Sequence, residues 1–235
     1  MPGISFLFPF SLYFQITMKQ NNISKKEVYL SAARDIKLYY SRDKQKIKQR
    51  LKDFQRIVPT DYFYELVYCL LTPQSSAVNA GQAVNLLRQN SFNIRKLNPE
   101  RFLYNKDLYI RFHKNKSKYL LEMKEQYTAI YHQLKNGLSA DELREWLVKN
   151  VKGLGYKEAS HFLRNIGYRN LAILDRHILR NLVRAGVLKQ IPKSISRLNY
   201  LETEKEFLDY SKKIKIPMDE LDLLFWSMET GEILK

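Results

Sequence analysis

An amine and a carboxylate suited to act together lie eighteen residues apart. Lys157 stands two positions after the second glycine of Gly153-Leu154-Gly155, and Asp175 closes the apolar run Ala172-Ile173-Leu174. A lysine attacks carbon only as the neutral amine. With an ordinary value near about 10.4, roughly one lysine in a thousand is neutral at pH 7.4, and lowering that value by about 3 units costs about 4 kcal/mol. Desolvation and the positive end of a helix both favour the neutral form, so the first turn of a helix suits a nucleophilic lysine. The alternative for Lys157 is a plain phosphate contact, as one basic residue among 40. Asp175 precedes the stripe Ile178, Leu179, Leu182 and Val183, which is N-cap placement. Capping a helix and facing a reaction centre are compatible roles for its carboxylate.

The elements that must position this pair are helices. Ser139-x-x-Glu142 is a capping box that opens a helix over 140–150. A second helix carries Tyr156, Ala159, Leu163 and Ile166 on one face and stops at Gly167. Between them, Val151-Lys152-Gly153-Leu154-Gly155 predicts a tight hairpin with positive φ. Without side chains, Gly153 and Gly155 let backbone N–H groups approach a phosphate, with the positive end of the second helix behind them. This is the helix-hairpin-helix pattern, a sequence-independent grip on a nucleic-acid backbone, in which Val151, Gly153 and Gly155 are the contact positions. The alternative is an ordinary helix–helix turn.

The rest of the chain has the same helical period. Phe63, Leu66, Val67, Leu70 and Leu71 form a stripe started by Pro59-Thr60, and residues 116–134 read as one long charged helix ending at Gly137. No run alternates at period two between turn signals. The expected fold is therefore all-α, about ten helices in two lobes with a cleft between them, with breaks at 93–115 and near Ile191-Pro192. The 235 residues carry 40 Lys and Arg against 24 Asp and Glu, a formal net charge of +16. Nucleic acid is the favoured partner because each neutralised phosphate releases counterions, with an anionic membrane surface second. One cysteine, Cys69, excludes an intrachain disulfide and any cysteine-based zinc or iron–sulfur site. It sits in an apolar run as a core thiol and fits a reducing intracellular setting. His113, His132 and His161 lack metal-ligand spacing, and His177 reads as a helix-face histidine. Residues 1–17 include an uncharged apolar stretch, 4–16, too short to span a bilayer and lacking a basic leader. They read as a non-functional extension ahead of Met18, with residues 18–235 as one functional unit.

The run 155–165 together with 174–180, and the ending Leu221-Asp222-Leu223-Leu224-Phe225-Trp226 followed by Thr230-Gly231-Glu232-Ile233-Leu234-Lys235, resembles the type-2 8-oxoguanine DNA glycosylase/AP lyases of the helix-hairpin-helix superfamily. The likeness covers roughly residues 25–235. It implies base excision repair on double-stranded DNA containing 8-oxoguanine or abasic sites, by a monomer using no cofactor and no catalytic metal. Lys157 would attack the sugar, expel the base and cleave the strand by β-elimination through a Schiff base. Asp175 would assist base loss. Phe112 and Trp226 would sandwich the flipped base, the terminal Lys235 would read the protonated N7, and Asp222 would orient the pocket, unless it is merely a solvated residue on a helix face. Gln74, in Thr72-Pro73-Gln74-Ser75, is the candidate plug for the gap in the duplex. A non-catalytic helix-hairpin-helix DNA-binding module explains the charge and the glycines equally well, but it leaves Lys157 with Asp175 and the closing Lys235 unexplained. A membrane-associated protein would rest on residues 4–16 alone.

Overall fold

The computed structural model describes residues 25–233, with side chains from residue 32. The expected extension at 1–17 and the terminal Lys235 lie outside the described residues. Within them are eleven α-helices, one short 3-10 turn at Pro59–Asp61 and no strand, only an isolated bridge between Tyr104 and Tyr109.

Two apolar cores organise the helices. The first contains α2 (Tyr62–Leu71), α3 (Ala77–Gln89), α4 (Glu100–Leu103), α5 (His113–Glu125), α6 (Tyr127–Lys135), α7 (Ala140–Asn150) and α8 (Tyr156–Asn165). The second joins α1 (Lys25–Gln55) to α9 (Arg176–Arg184), α10 (Arg197–Ile214) and α11 (Met218–Thr230). The described part of the chain thus starts in the second lobe, builds the first, and crosses back between Leu171 and Ala172. Helix α2 is apolar almost all round and is buried from Phe63 to Leu71, as such a helix must be. Cys69 is fully buried within it. Its one acid, Glu65, accepts a hydrogen bond from Asn165 Nδ2 at 3.0 Å.

The predicted long helix over 116–134 is two helices. At Gln126 the backbone leaves the helical region, with φ −95° and ψ 6°. The bend turns Tyr127 inward, edge-on to Phe63 at 4.9 Å, and buries Ile130 and Leu134. An unbroken charged helix would leave that apolar surface in water.

Arg144 ties the lobes together. It is 1% exposed on α7 and donates to both oxygens of Glu204 on α10, at 2.6 and 2.8 Å. Glu204 also accepts from the backbone N–H of Ala172 at 2.7 Å, so the carboxylate anchors the crossover itself. Forked guanidinium–carboxylate pairs fix geometry as well as energy.

Candidate active site

The predicted capping box at the start of α7 is present: Ser139 N donates to Glu142 Oε2 at 2.8 Å, and Glu142 N donates to Ser139 Oγ at 3.3 Å. Helix α7 ends at the buried Val151 and the hairpin follows. Gly153 has φ +92°, where side chains are strained, and a Cβ there would lie 2.6 Å from Tyr119 Cδ2. Gly155 differs from the expectation. Its φ is −94° and its backbone is extended, because it is the N-cap of α8. Its N–H is already paired, donating to Glu158 Oε2 at 3.2 Å. That carboxylate therefore sits at the positive helix end where a phosphate would bind. Lys152, Gly153 and Gly155 are exposed, as a backbone grip requires.

Lys157 stands in the first turn of α8 with 25% of its side chain exposed, its Nζ 3.3 Å from Glu158 Oε1. Asp175 caps α9 as predicted: its Oδ1 accepts from His177 N at 2.8 Å and Ile178 N at 2.9 Å, while Oδ2 carries neither bond. Lys157 from the first lobe and Asp175 from the second line one cleft of about 340 Å³, together with Trp226 and Asp222. That volume falls in the range of roughly 300–1,000 Å³ typical of small-molecule sites.

Helix α11 presents Asp222 and Trp226 one turn apart to the cleft. Trp226 is partly exposed and edge-on to His177 at 6.4 Å, so it is not a core residue. Asp222 is 6% exposed rather than solvated, and accepts from Ile173 N at 3.3 Å. Burial pushes its carboxyl up to about 7; Arg164, 3.8 Å away, opposes the rise and the charge of Asp175 adds to it. Tyr68, on the opposite wall, is pushed up by burial to about 12 and stays a neutral phenol.

Phe112 is not brought to Trp226. It is the left-handed residue preceding α5, at φ 60°, about half exposed, with the Arg111 guanidinium 4.9 Å from its ring, and it does not line the cleft. The preceding Arg111 N–H donates to Oγ of the cleft-lining Ser75 at 3.0 Å, so the start of α5 is tied to the rim of the cleft while the Phe112 ring stays in solvent. Gln74 is exposed between two cleft residues, Thr72 and Ser75, also with positive φ, +54°. Ile233, the last described residue, packs on the second core. Among the described residues no three His, Cys, Asp or Glu side chains gather as a metal site.

One cleft residue and one residue beside the cleft escaped the sequence reading. His161 is one turn beyond Lys157 on the same helix, a spacing that could have flagged it. Lys116 lies close enough to Lys157 to feel it; burial first, and Lys157 second, push it down to about 8. Nothing near Lys116 in the sequence marks it.

A family model described as 8-oxoguanine DNA glycosylase matches residues 47–216. The 8-oxoguanine DNA glycosylase/AP lyase of Fusobacterium nucleatum is 44% identical over 223 residues, 90% of this chain and 100% of that protein. The protein of the same name from Korarchaeum cryptofilum is 38% identical over 201 residues, 85% of this chain and 95% of its own length. The crystal structure of the Methanocaldococcus jannaschii 8-oxoguanine DNA glycosylase superposes with a TM-score of 0.80 at 31% identity, over 91% of this chain and all of that one. A structure of the same organism's glycosylase/lyase with a 15mer DNA containing 8-oxoguanine gives 0.78 at 32% identity, over 86% and 99%. The match spans both cores and nearly the full length of each relative, and the chain belongs to the 8-oxoguanine DNA glycosylase family.

Proposed function

We propose that this chain excises 8-oxoguanine from duplex DNA and then cleaves the strand at the exposed sugar, with Lys157 as nucleophile and Asp175 as its electrostatic partner. The observation that carries the reading is the meeting of these two side chains across one cleft from different lobes, each at the start of a helix. The neutral Lys157 amine forms a bond to C1′ as the bond to the base breaks, and the base leaves with that electron pair and takes up a proton. The Asp175 carboxylate offsets the positive charge that develops on the sugar. Opening of the sugar ring gives a Schiff base between Nζ and C1′. Loss of a C2′ proton then expels the 3′-phosphate, and water releases Lys157.

The damaged base must leave the stack first, at a cost of a few kcal/mol. Stacking on Trp226 returns about 1–3 kcal/mol. In this reading Phe112 joins the pocket only when DNA is bound, since it stands apart from the cleft here. Asp222, near half-protonation at neutral pH, has both a donor and an acceptor for the base edge. Lys235 reads N7–H, which 8-oxoguanine has and guanine lacks. Gln74 fills the gap in the duplex, and the Val151–Gly155 hairpin holds the backbone. Lys157, Asp175, Asp222 and Trp226 all reach the cleft from one chain, which supports action as a monomer.

The test is borohydride trapping on a duplex containing 8-oxoguanine. Wild type forms a covalent complex and Lys157→Gln does not. Absence of the complex in wild type overturns the nucleophile and leaves the hairpin as a binding module.

A further inference from the structure

One buried charge beside the cleft has no part in these steps. Lys116, on α5, is 4% exposed. Its Nζ donates to the carbonyls of Leu71 and Pro73, both at 2.7 Å, and to Ser75 Oγ at 3.1 Å. An ammonium has three protons and accepts nothing, so these partners use all of it. All three lie at 71–75, the connection from α2 to α3, more than forty residues upstream. Ser75 Oγ also accepts from Arg111 N, so the connection is held from two directions.

Within this connection Gln74 is left-handed at φ +54°, a conformation that side chains other than glycine adopt only where the surroundings impose it. Thr72 N and Oγ1 bond back to Tyr68 O and Cys69 O, and Ser75 N bonds to Thr72 O, so the backbone turns tightly around it. Pro73 has no N–H with which to pair differently. The Gln74 side chain is exposed while its neighbours Thr72 and Ser75 line the cleft with Lys157. Water or an exposed side chain ordinarily satisfies the carbonyls at a helix end. A buried ammonium, close enough to Lys157 to be pushed down by it, is a costly substitute. What it adds over water is a turn of one fixed shape.

We propose that Lys116 is a positioning residue for the reaction: its three hydrogen bonds preset the 72–75 turn so that Gln74 is already shaped to enter the gap left by the flipped nucleotide. This rests on reading Gln74 as the plug. A preset turn removes the ordering that binding would otherwise have to impose on loop and side chain.

The experiment compares two substrates under single turnover: a duplex containing 8-oxoguanine, which leaves a gap on flipping, and a single-stranded oligonucleotide with an abasic site, which leaves none. Lys116→Met, matched in length and without charge, is expected to lose about tenfold or more on the duplex and less than about threefold in borohydride trapping on the single strand. Equal losses on both substrates would mean damage to the cleft as a whole and overturn the proposal. Ser75→Ala, which removes one of the three acceptors and is the milder change, decides the matter if Lys116→Met does not fold. A loss confined to the duplex supports the proposal, and none overturns it. Gln74→Ala separates the two ideas. A loss on the duplex with Gln74→Ala but none with Lys116→Met overturns only the role of Lys116. No loss with Gln74→Ala overturns the plug reading and the inference with it.

Discussion

Gly153 and Gly155 are separated by one residue, yet the structure gives them different reasons to be glycine, and substituting each with alanine tells the reasons apart. At Gly153, φ is +92°, which costs an alanine about 1–2 kcal/mol. The new Cβ would also lie 2.6 Å from Tyr119 Cδ2 and 3.2 Å from Leu70 Cδ2, and displacing packed side chains adds about 1–2 kcal/mol. Gly153→Ala should therefore destabilise the fold by about 3 kcal/mol, a fall in Tm of roughly 6–12 °C for a chain of this size. Gly155 has an ordinary φ of −94°, and its Cβ would meet only the end of the Glu158 carboxylate, at 3.0 Å. Gly155→Ala should cost about 1 kcal/mol or less, through the poorer cap. Its effect should appear in DNA binding, because a methyl at the mouth of the hairpin keeps a phosphate from the backbone. Affinity for undamaged duplex, measured by fluorescence anisotropy across a salt series, should fall at every salt concentration with the slope of log K against log salt nearly unchanged, because a backbone N–H carries no charge and its loss keeps no counterion in place. A Tm loss for Gly155→Ala as large as for Gly153→Ala would refute the geometric argument. An unchanged affinity for Gly155→Ala would refute the hairpin as the phosphate grip.

Other consequences are as open to measurement. Arg144→Met leaves Glu204 largely buried without its partner and should cost about 3–5 kcal/mol by calorimetry, whereas Lys152→Met, which breaks an exposed pair with Glu122, should cost under about 1 kcal/mol. Asp222 is held more protonated in the fold than in the unfolded chain, so its contribution is full below about pH 4 and lost as the pH rises through about 7, by up to about 4 kcal/mol. Asp222→Asn does not titrate, so its Tm relative to wild type should climb between pH 4 and 7 and level off above; a constant difference would show an ordinary carboxyl. Deleting Lys235 should weaken discrimination of 8-oxoguanine from guanine more than cleavage at an abasic site, as steady-state kinetics on paired substrates would show, and equal losses would remove the terminal residue from the pocket.

What could be read from the sequence is what neighbouring residues decide. The Ser139–Glu142 box, the Asp175 cap, the start of α2 and the stop at Gly167 all rest on bonds or dihedrals within about four positions, and all appear as expected. What could not be read depends on groups far along the chain. Lys116 lies in Lys114-Asn115-Lys116-Ser117-Lys118, where nothing local separates it from its solvated neighbours, and its partners are 41 to 45 residues upstream. The break at Gln126 follows from Tyr127 finding Phe63, and the extended form of Gly155 from Glu158 reaching back to cap it. Phe112 and Trp226 belong to different lobes, and no local pattern reports the distance between lobes.

The same division explains how the site is built. The placement of each member of the pair is local: Lys157 needs only a helix start after the hairpin, and Asp175 only a helix to cap. Their meeting depends on the seam, where Arg144 holds Glu204 across 60 residues and Asp222 holds the Ile173 N–H across 49. Glu204 binds the crossover at Ala172 and Asp222 binds it one residue later, so both carboxylates fix the segment that delivers Asp175 to the cleft. A substitution at either carboxylate leaves both motifs intact in the sequence while moving Asp175 relative to Lys157. Displacements near 1 Å are enough to cost about a hundredfold in such geometry. Sequence motifs therefore point to Lys157 and Asp175, and the distant seam carboxylates determine whether the two can meet in the cleft.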